Sequence, residues 1–311
     1  MFFILIFTSI ISSYTPNLFI LWILLEISSM TFSIMLNYNK FKIFSIMYFL
    51  ISSMTSMLII FSFLNNINNN YLLMFSMWLK LGLFPLNNWM NFMMNKINYL
   101  MLMPLMTIMK FIPIIIFFNF IKFNNYLIIL IILISLPPVI LAMNTSSYPL
   151  LLNYSSMYNI PLILILSFMN SYLLTNYVII YMLSTLMIML LLKYSNSYYK
   201  NSLNLNLDWK NKFFYNIMMI MYVQLPPFST FMLKWNLIES ILMKPNFMLL
   251  SMFIMISSLI MTFNYLNFNN STYFLTNYKI GHKIIYYKNN KMMLIIPMLS
   301  FSIIYLYLYM N

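Results

Sequence analysis

The segment that decides the fold reads M-W-L-K-L-G-L-F-P-L-N-N-W, from Met77 to Trp89. It is apolar enough to cross a membrane, yet it contains Lys80, followed closely by the helix breakers Gly82 and Pro85. Proline removes a backbone donor and clashes with the preceding turn, which leaves carbonyl groups that hydrocarbon cannot satisfy. We therefore predict a membrane helix that is broken beside protein or water, with a lysine at the break.

Composition places the whole chain in the same class. Of its 311 residues, 63% are hydrophobic and 6% are charged, so a soluble globule would lack polar residues to cover its surface. A membrane helix needs about 20 apolar residues, and the length therefore allows roughly eleven or twelve spans. We predict an all-α polytopic membrane protein whose residues 1–311 form a single transmembrane domain of about eleven helices, with no soluble domain.

Hydropathy divides the chain into eleven apolar segments, which place the two ends on opposite faces of the membrane. The segments are predicted at 2–14, 16–37, 43–64, 71–94, 99–121, 126–143, 148–170, 172–193, 213–243, 246–267 and 292–310. The polar stretches between them are turns and loops, and the one that follows the tenth segment is long enough to be irregular.

The lysines test this topology independently. One face carries eleven of them: Lys40, Lys42, Lys96, Lys193, Lys200, Lys210, Lys212, Lys279, Lys283, Lys288 and Lys291. The opposite face carries Lys122 and Lys244. This asymmetry is the positive-inside bias of a multi-pass protein, with the N-terminus on the lysine-rich face. The net charge of +13 is thus explained by topology, and nucleic-acid binding explains it poorly.

Four charges remain inside the apolar segments: Glu26, Lys80, Lys110 and Lys234. An ionisable group at the bilayer centre costs about 2.5–3.5 kcal/mol, so together they oppose insertion by about 10–14 kcal/mol. Lysine near a helix end often reaches the interface along its stem, but Lys80 and Lys110 lie about halfway along their segments. Charges in such positions point to ion or proton handling.

A second broken segment is predicted at Q-L-P-P-F-S-T-F-M-L-K-W, from Gln224 to Trp235, where Pro226 and Pro227 precede Lys234. Broken helices near the membrane midplane recur in transporters.

The chain offers no cofactor or metal site. It has no cysteine and a single histidine, His282, which all but excludes iron–sulfur, structural zinc and thiol redox chemistry. With two glycines it cannot form a dinucleotide-binding or phosphate-binding glycine loop. Asp208 and His282 fall in polar loops and are interpreted as solvated residues.

Proton relay is the chemistry that uses buried lysines. Desolvation disfavours the ammonium form, and a nearby carboxylate favours it, so a moving partner can switch the protonation of a lysine. We predict that Glu26 approaches and leaves Lys80, and that the proton then passes to Lys110 and Lys234. Ser52, Ser53 and Asn153 are expected to order water between them. Glu239 is a further candidate, equally consistent with an interfacial acid.

These residues also carry a resemblance. W-I-L-L-E around Glu26, T-I-M-K-F-I-P around Lys110, L-N-Y-S-S-M from Leu152 and L-P-P-F-S-T-F-M-L-K-W-N-L-I-E around Lys234 join the motif around Lys80 in order along nearly the whole chain. Together they resemble the chain 2 family of mitochondrial NADH:ubiquinone oxidoreductase, antiporter-like membrane subunits of respiratory complex I. The metazoan form of this family has eleven helices.

The resemblance implies an Mrp-type antiporter-like fold in the mitochondrial inner membrane, with the lysine-rich loops in the matrix. It implies that Glu26 and Lys80 are a coupled pair, Lys110 the central relay and Lys234 the terminal lysine near the intermembrane-space side. It also implies other complex I membrane subunits, accessory subunits and phospholipids as partners, no cofactor in this chain, and quinone binding elsewhere. The chain departs from the family pattern at Met47, Asn87, Pro149, Leu150 and Asn159.

The sequence is consistent with three functions. The first is a proton-translocating subunit of the respiratory NADH dehydrogenase, in which other chains carry the redox chemistry. The second is a stand-alone cation/proton antiporter. The third is a structural membrane scaffold, which the buried charges disfavour. The ordered motifs favour the first.

Overall fold

The structure is a computed structural model that describes residues 1–64, 70–121, 125–169, 171–200, 215–216, 218–219, 222, 229–243 and 248–273. The described residues are helical apart from turns and one isolated β-bridge between Ser147 and Tyr199. The helices are α1 (Phe2–Tyr14), α2 (Leu18–Tyr38), α3 (Lys42–Leu64), α4 (Asn70–Leu81), α5 (Asn88–Lys96), α6 (Tyr99–Met106), α7 (Ile108–Phe120), α8 (Asn125–Ala142), α9 (Tyr148–Met169), α10 (Ser171–Ser195), α11 (Ser229–Leu242) and α12 (Met248–Tyr273).

The all-α membrane class is confirmed. Seven stretches of the described chain are long and apolar enough to cross a membrane: Leu18–Tyr38, Lys42–Leu64, Tyr99–Phe120, Asn125–Ala142, Tyr148–Leu166, Tyr177–Ser195 and Met248–Asn267. The apolar helices Phe2–Tyr14 and Tyr71–Leu81 are shorter than a full span. The protein is therefore a multi-pass membrane protein.

The predicted segments agree with the helices to within a few residues over most of the described chain, with two divisions. Segment 71–94 is two helices, α4 and α5, separated by the predicted break. Segment 99–121 is also two helices, α6 and α7, separated at Thr107, and this interruption was not predicted. Segment 246–267 is α12, which continues to Tyr273.

The remaining segments are described in part or not at all. Within 213–243, Tyr215, Asn216, Met218, Met219 and Tyr222 are helical and α11 follows them. The predicted break at Pro226 and Pro227 and the segment 292–310 lie outside the described residues.

Helix α9 lies at the centre of the packing. It contacts α5, α7, α8, α10 and α11, and most of the span Tyr148–Leu166 is buried inside the protein. By contrast, α1 and α3 present large apolar side chains outwards, such as Phe3 and Met57, and turn small polar ones such as Ser12 and Thr55 inwards. This arrangement suits a helix bundle whose outer surface meets lipid.

Candidate functional site

The break between α4 and α5 places Lys80 in the last turn of α4. There the amide of Gly82 donates to the carbonyl of Leu79 (3.1 Å), and the amide of Leu83 donates to the carbonyl of Trp78 (3.2 Å). These two bonds form a Schellman cap, with Gly82 in the left-handed conformation at φ +63°. The carbonyl end of a helix carries partial negative charge, which favours a cation such as the Lys80 ammonium.

Replacing Gly82 by alanine is expected to destabilise this cap. A left-handed backbone costs a residue with a Cβ about 1–2 kcal/mol, and here the added Cβ would lie 3.0 Å from the Met90 Cβ. The thermal midpoint of the solubilised protein should fall. Gly82→Asn is the matched variant, since asparagine tolerates the left-handed region better. Equal midpoints for the native chain and Gly82→Ala would contradict this account of the break.

Glu26 and Lys80 interact electrostatically without a hydrogen bond between them in the described structure. Glu26 lies on α2 and interacts with the charge of Lys80 and with the Tyr48 hydroxyl on α3. Within the described chain, Glu26 Oε1 and Lys80 Nζ are both buried and neither accepts or donates a hydrogen bond. The two charges are thus close enough to interact electrostatically, with no hydrogen bond at Glu26 Oε1 or Lys80 Nζ among the described residues.

Lys110 is the most completely enclosed of the intramembrane lysines. It lies in the first turn of α7 with 3% of its surface exposed. Its Nζ donates a hydrogen bond of 2.7 Å to Ser156 Oγ on α9, and the Ser156 hydroxyl donates onward to the Asn153 carbonyl at 2.7 Å. A neutral hydroxyl is therefore the side-chain partner of this buried cation among the described residues.

The interruption at Thr107 places Lys110 near a helix end. Thr107 has φ −115° and ψ −81°, and its hydroxyl donates to the Met103 carbonyl at 2.7 Å. Pro104 and Pro113 flank it inside α6 and α7. Each proline lacks the donor that would bond the carbonyl four residues earlier, so Pro113 weakens the turn that contains Lys110 and Pro104 weakens the turn before the interruption. These two prolines are the signal that could have predicted the interruption.

Three asparagines spaced four residues apart tie α5 to α9. Asn87 Nδ2 lies 3.6 Å from Met157 Sδ, and Asn91 Oδ1 accepts from Asn153 Nδ2 at 2.7 Å. Asn95 Oδ1 accepts from Ser147 Oγ, which precedes α9, at 3.3 Å. As the residue numbers rise along α5, those of their partners on α9 fall, so the two helices are antiparallel. The helix that follows Lys80 is thereby joined to the helix that contacts Lys110.

The predicted water-ordering residues have different environments. The hydroxyls of Ser52 and Ser53 donate to carbonyls of their own helix, those of Phe49 and Leu50, at 2.9 Å each. Asn153, in contrast, is fully buried beside the Lys110 site.

Lys234 lies on α11 with 6% of its surface exposed. Its Nζ lies 5.3 Å from the centroid of the Tyr158 ring on α9, a cation–π arrangement. Tyr158 in turn donates to the Ile254 carbonyl (3.3 Å) and accepts from Ser257 Oγ (3.2 Å), both on α12. Glu239, one turn beyond Lys234, is exposed. Asp208 and His282 lie outside the described residues.

Two of the buried lysines thus contact the same helix: Lys110 contacts Ser156 of α9, and Lys234 contacts Tyr158 of α9. Glu26 and Lys80 lie on α2 and α4, and both of these helices pack against α7, which also contacts α9. A series of buried charges of this kind can hold and pass protons if water or hydroxyl groups connect its members.

Comparison with known proteins gives the fold. No protein-family model and no curated protein matches this sequence. A chain of respiratory complex I from Thermus thermophilus, solved with bound aureothin, matches with a TM-score of 0.77 and 14% identity, over 93% of this chain and 72% of that one.

Two further structures share the fold. A chain of the membrane-bound sulfane sulfur reductase, an archaeal respiratory membrane complex, has a TM-score of 0.70 and 16% identity, over 93% of this chain and 68% of its own. A chain of the Mrp complex from Dietzia sp. DQ12-45-1b has a TM-score of 0.66 and 13% identity, over 82% of this chain and 56% of that one. The protein therefore has the fold of membrane chains of respiratory and Mrp complexes.

Proposed function

We propose that this chain is the chain 2 membrane-arm subunit of mitochondrial NADH:ubiquinone oxidoreductase and translocates protons across the inner mitochondrial membrane. Electron transfer takes place in other subunits of that enzyme. Support comes from two independent sources: the fold shared with a chain of bacterial complex I, and the ordered motifs around Glu26, Lys80, Lys110 and Lys234.

The observation that carries the proposal is the environment of Lys110. An ammonium has three donors, and among the described residues Lys110 uses one of them for a side-chain bond, to Ser156. Buried charges contribute little net stability compared with apolar residues of similar size. A scaffold would gain nothing from this lysine, whereas a group that loses and regains its proton needs a neutral partner that accommodates both states.

The relay is proposed to run from Glu26 and Lys80 through Lys110 to Lys234. When Glu26 is close, its carboxylate holds the proton on Lys80; when it withdraws, Lys80 gives the proton up. Lys110 takes the proton as the central relay, and Lys234 receives it last, near the intermembrane-space side. Each transfer leaves a neutral amine behind and creates an ammonium at the next site, so the charge of the relay is conserved.

The orientation, domain organisation and partners of the chain are proposed from the same shared fold and ordered motifs. The N-terminus and the lysine-rich loops would face the matrix, the C-terminus would face the intermembrane space, and residues 1–311 would form one transmembrane domain. The partners would be other complex I membrane subunits, including neighbouring antiporter-like subunits, together with accessory subunits and phospholipids. The chain itself would hold no cofactor.

A stand-alone cation/proton antiporter is the second candidate. The observation that favours it is the fold shared with a chain of the Mrp complex. In that case the same buried lysines would couple proton movement to cation exchange, without an electron-transfer partner.

A native gel of the solubilised inner mitochondrial membrane separates the two candidates. The gel is stained for NADH dehydrogenase activity, and mass spectrometry identifies the band that contains this chain. We expect the chain in the active high-mass band. Its presence alone, or in a band without activity, would overturn the complex I assignment in favour of the antiporter.

A further inference from the structure

Beside the serine pair of α9 that includes the Lys110 partner lies a group of three buried tyrosines that has no part in the proposed relay. Tyr181 on α10, the helical residue Tyr222 and Tyr265 on α12 are each at most 4% exposed. Tyr222 is bonded to Ser155 through their hydroxyls at 2.8 Å, and its ring packs edge-on against Tyr265 at 5.5 Å. We refer to Tyr181, Tyr222 and Tyr265 as the tyrosine cluster.

Two hydroxyls of the cluster are buried without a satisfied hydrogen bond. Tyr181 OH and Tyr265 OH have no hydrogen-bond partner of normal geometry in the described structure. The groups that interact with them are themselves hydroxyls: Ser156 and Tyr222 for Tyr181, and Ser155 and Tyr222 for Tyr265. Buried hydroxyls in this situation are normally satisfied by internal water. The cluster is therefore a polar, hydratable region within the bundle.

The cluster begins at Lys110. Ser156, which accepts the hydrogen bond from Lys110 Nζ at 2.7 Å, is also the residue whose hydroxyl interacts with Tyr181. Its neighbour Ser155 is bonded to Tyr222. The two adjacent serines of α9 thus join the central lysine to two members of the cluster.

Toward Lys234 the link is Tyr158 of α9, whose hydroxyl accepts from Ser257 on α12, the helix that also carries Tyr265. Tyr177, one turn before Tyr181 on α10, interacts electrostatically with both Tyr181 and Tyr158. Tyr158 is the ring over which Lys234 Nζ lies at 5.3 Å. Buried hydroxyl groups on α9 and α12 thus lie near both lysines, at Ser156 for Lys110 and around Tyr158 for Lys234.

We propose that the tyrosine cluster, with the water it holds, is the proton-conducting bridge between Lys110 and Lys234. A hydroxyl accepts a proton on its oxygen while it donates its own to the next acceptor, so it conducts without a lasting charge. Ser156 Oγ accepts the proton from Lys110 Nζ while its own hydroxyl proton turns from the Asn153 carbonyl to the cluster, and the cluster and its water deliver a proton to Lys234 Nζ. Lys110 becomes a neutral amine and Lys234 an ammonium. The inference rests on the proposed relay function.

The test replaces hydroxyls alone, because phenylalanine keeps the ring and its packing. Tyr222→Phe and the triple variant Tyr181→Phe, Tyr222→Phe, Tyr265→Phe would be compared in sealed membrane vesicles that hold the assembled complex. The rate of proton translocation, its solvent deuterium isotope effect and the number of protons moved per electron are measured with NADH as the donor. We expect about a fivefold slower translocation for the triple variant, the factor that one hydrogen bond of ordinary net strength represents, and a larger isotope effect.

The matched control is Tyr99→Phe, which removes an equally buried hydroxyl that donates to the Ser197 carbonyl outside the cluster. It should lower thermal stability but leave protons per electron and the isotope effect unchanged. Unchanged translocation in the triple variant, while Lys110→Met abolishes it, would overturn the bridge and leave the relay function standing. Unchanged translocation in both variants would overturn the relay function itself.

Discussion

Methionine in place of Lys110 is expected to abolish proton translocation while the chain still inserts and assembles. Lys110 is 3% exposed and its ammonium donates to Ser156, so the variant removes the proposed central proton-binding site and leaves no other titratable group on that turn of α7. Methionine fills a similar volume and is apolar. It also removes the insertion cost of a charge within the membrane, which is about 2.5–3.5 kcal/mol.

Stability and activity should therefore change in opposite directions. Protons per electron are measured in sealed vesicles, and thermal stability is measured on the solubilised complex. Lys96→Met is the matched control, since Lys96 is exposed at the end of α5, and it should leave both quantities unchanged. Normal translocation in Lys110→Met would rule out the central role of this lysine.

Glu26 and Lys80 are expected to act as one unit. Glu26→Gln and Lys80→Met should each slow translocation by about a hundredfold, the lower end of what a positioned acid or base contributes to proton transfer. The double variant should be no slower than either single variant, because groups that work together lose their effect once and not twice. This follows because the two charges interact electrostatically while Lys80 Nζ has no hydrogen bond among the described residues.

Rates of proton translocation in the two single variants and the double variant give the coupling directly. Glu239→Gln serves as the control carboxylate, since Glu239 is exposed on α11, and it should have no effect. Additive losses from Glu26→Gln and Lys80→Met would show that the two residues act in separate steps. A loss in Glu239→Gln would place that carboxylate in the relay.

The sequence predicted those features of the fold that depend on neighbouring residues. Apolar runs of about 20 residues determine membrane spans because backbone groups in hydrocarbon must be satisfied within their own helix. The break at Gly82 follows from the same local chemistry, and the Schellman cap confirms it. The sequence analysis does not predict the interruption at Thr107, although Pro104 and Pro113 lie on either side of it. Membrane helices often accommodate proline when neighbours satisfy the freed backbone groups.

The candidate charges were likewise visible in the sequence, since a glutamate or a lysine within an apolar run stands out by its insertion cost. Their partners were not. Ser156 is 46 residues from Lys110 along the chain, yet its hydroxyl accepts the hydrogen bond from that lysine. Tyr158 precedes Lys234 by 76 positions, and Tyr222 follows Ser155 by 67. Serines and tyrosines are frequent in this chain, so composition does not distinguish these from the rest.

The sequence by itself determined that this is a helical, multi-pass membrane protein with charges inside its spans, because lipid imposes that result on each segment separately. Only the tertiary structure decided which side chains surround those charges. Helix α9 joins the sites of Lys110 and Lys234, and α5 is tied to it by Asn91 and Asn153. Between helices in lipid, packing and interhelical hydrogen bonds select the neighbours. Those contacts join residues far apart in the chain, and no local pattern records them.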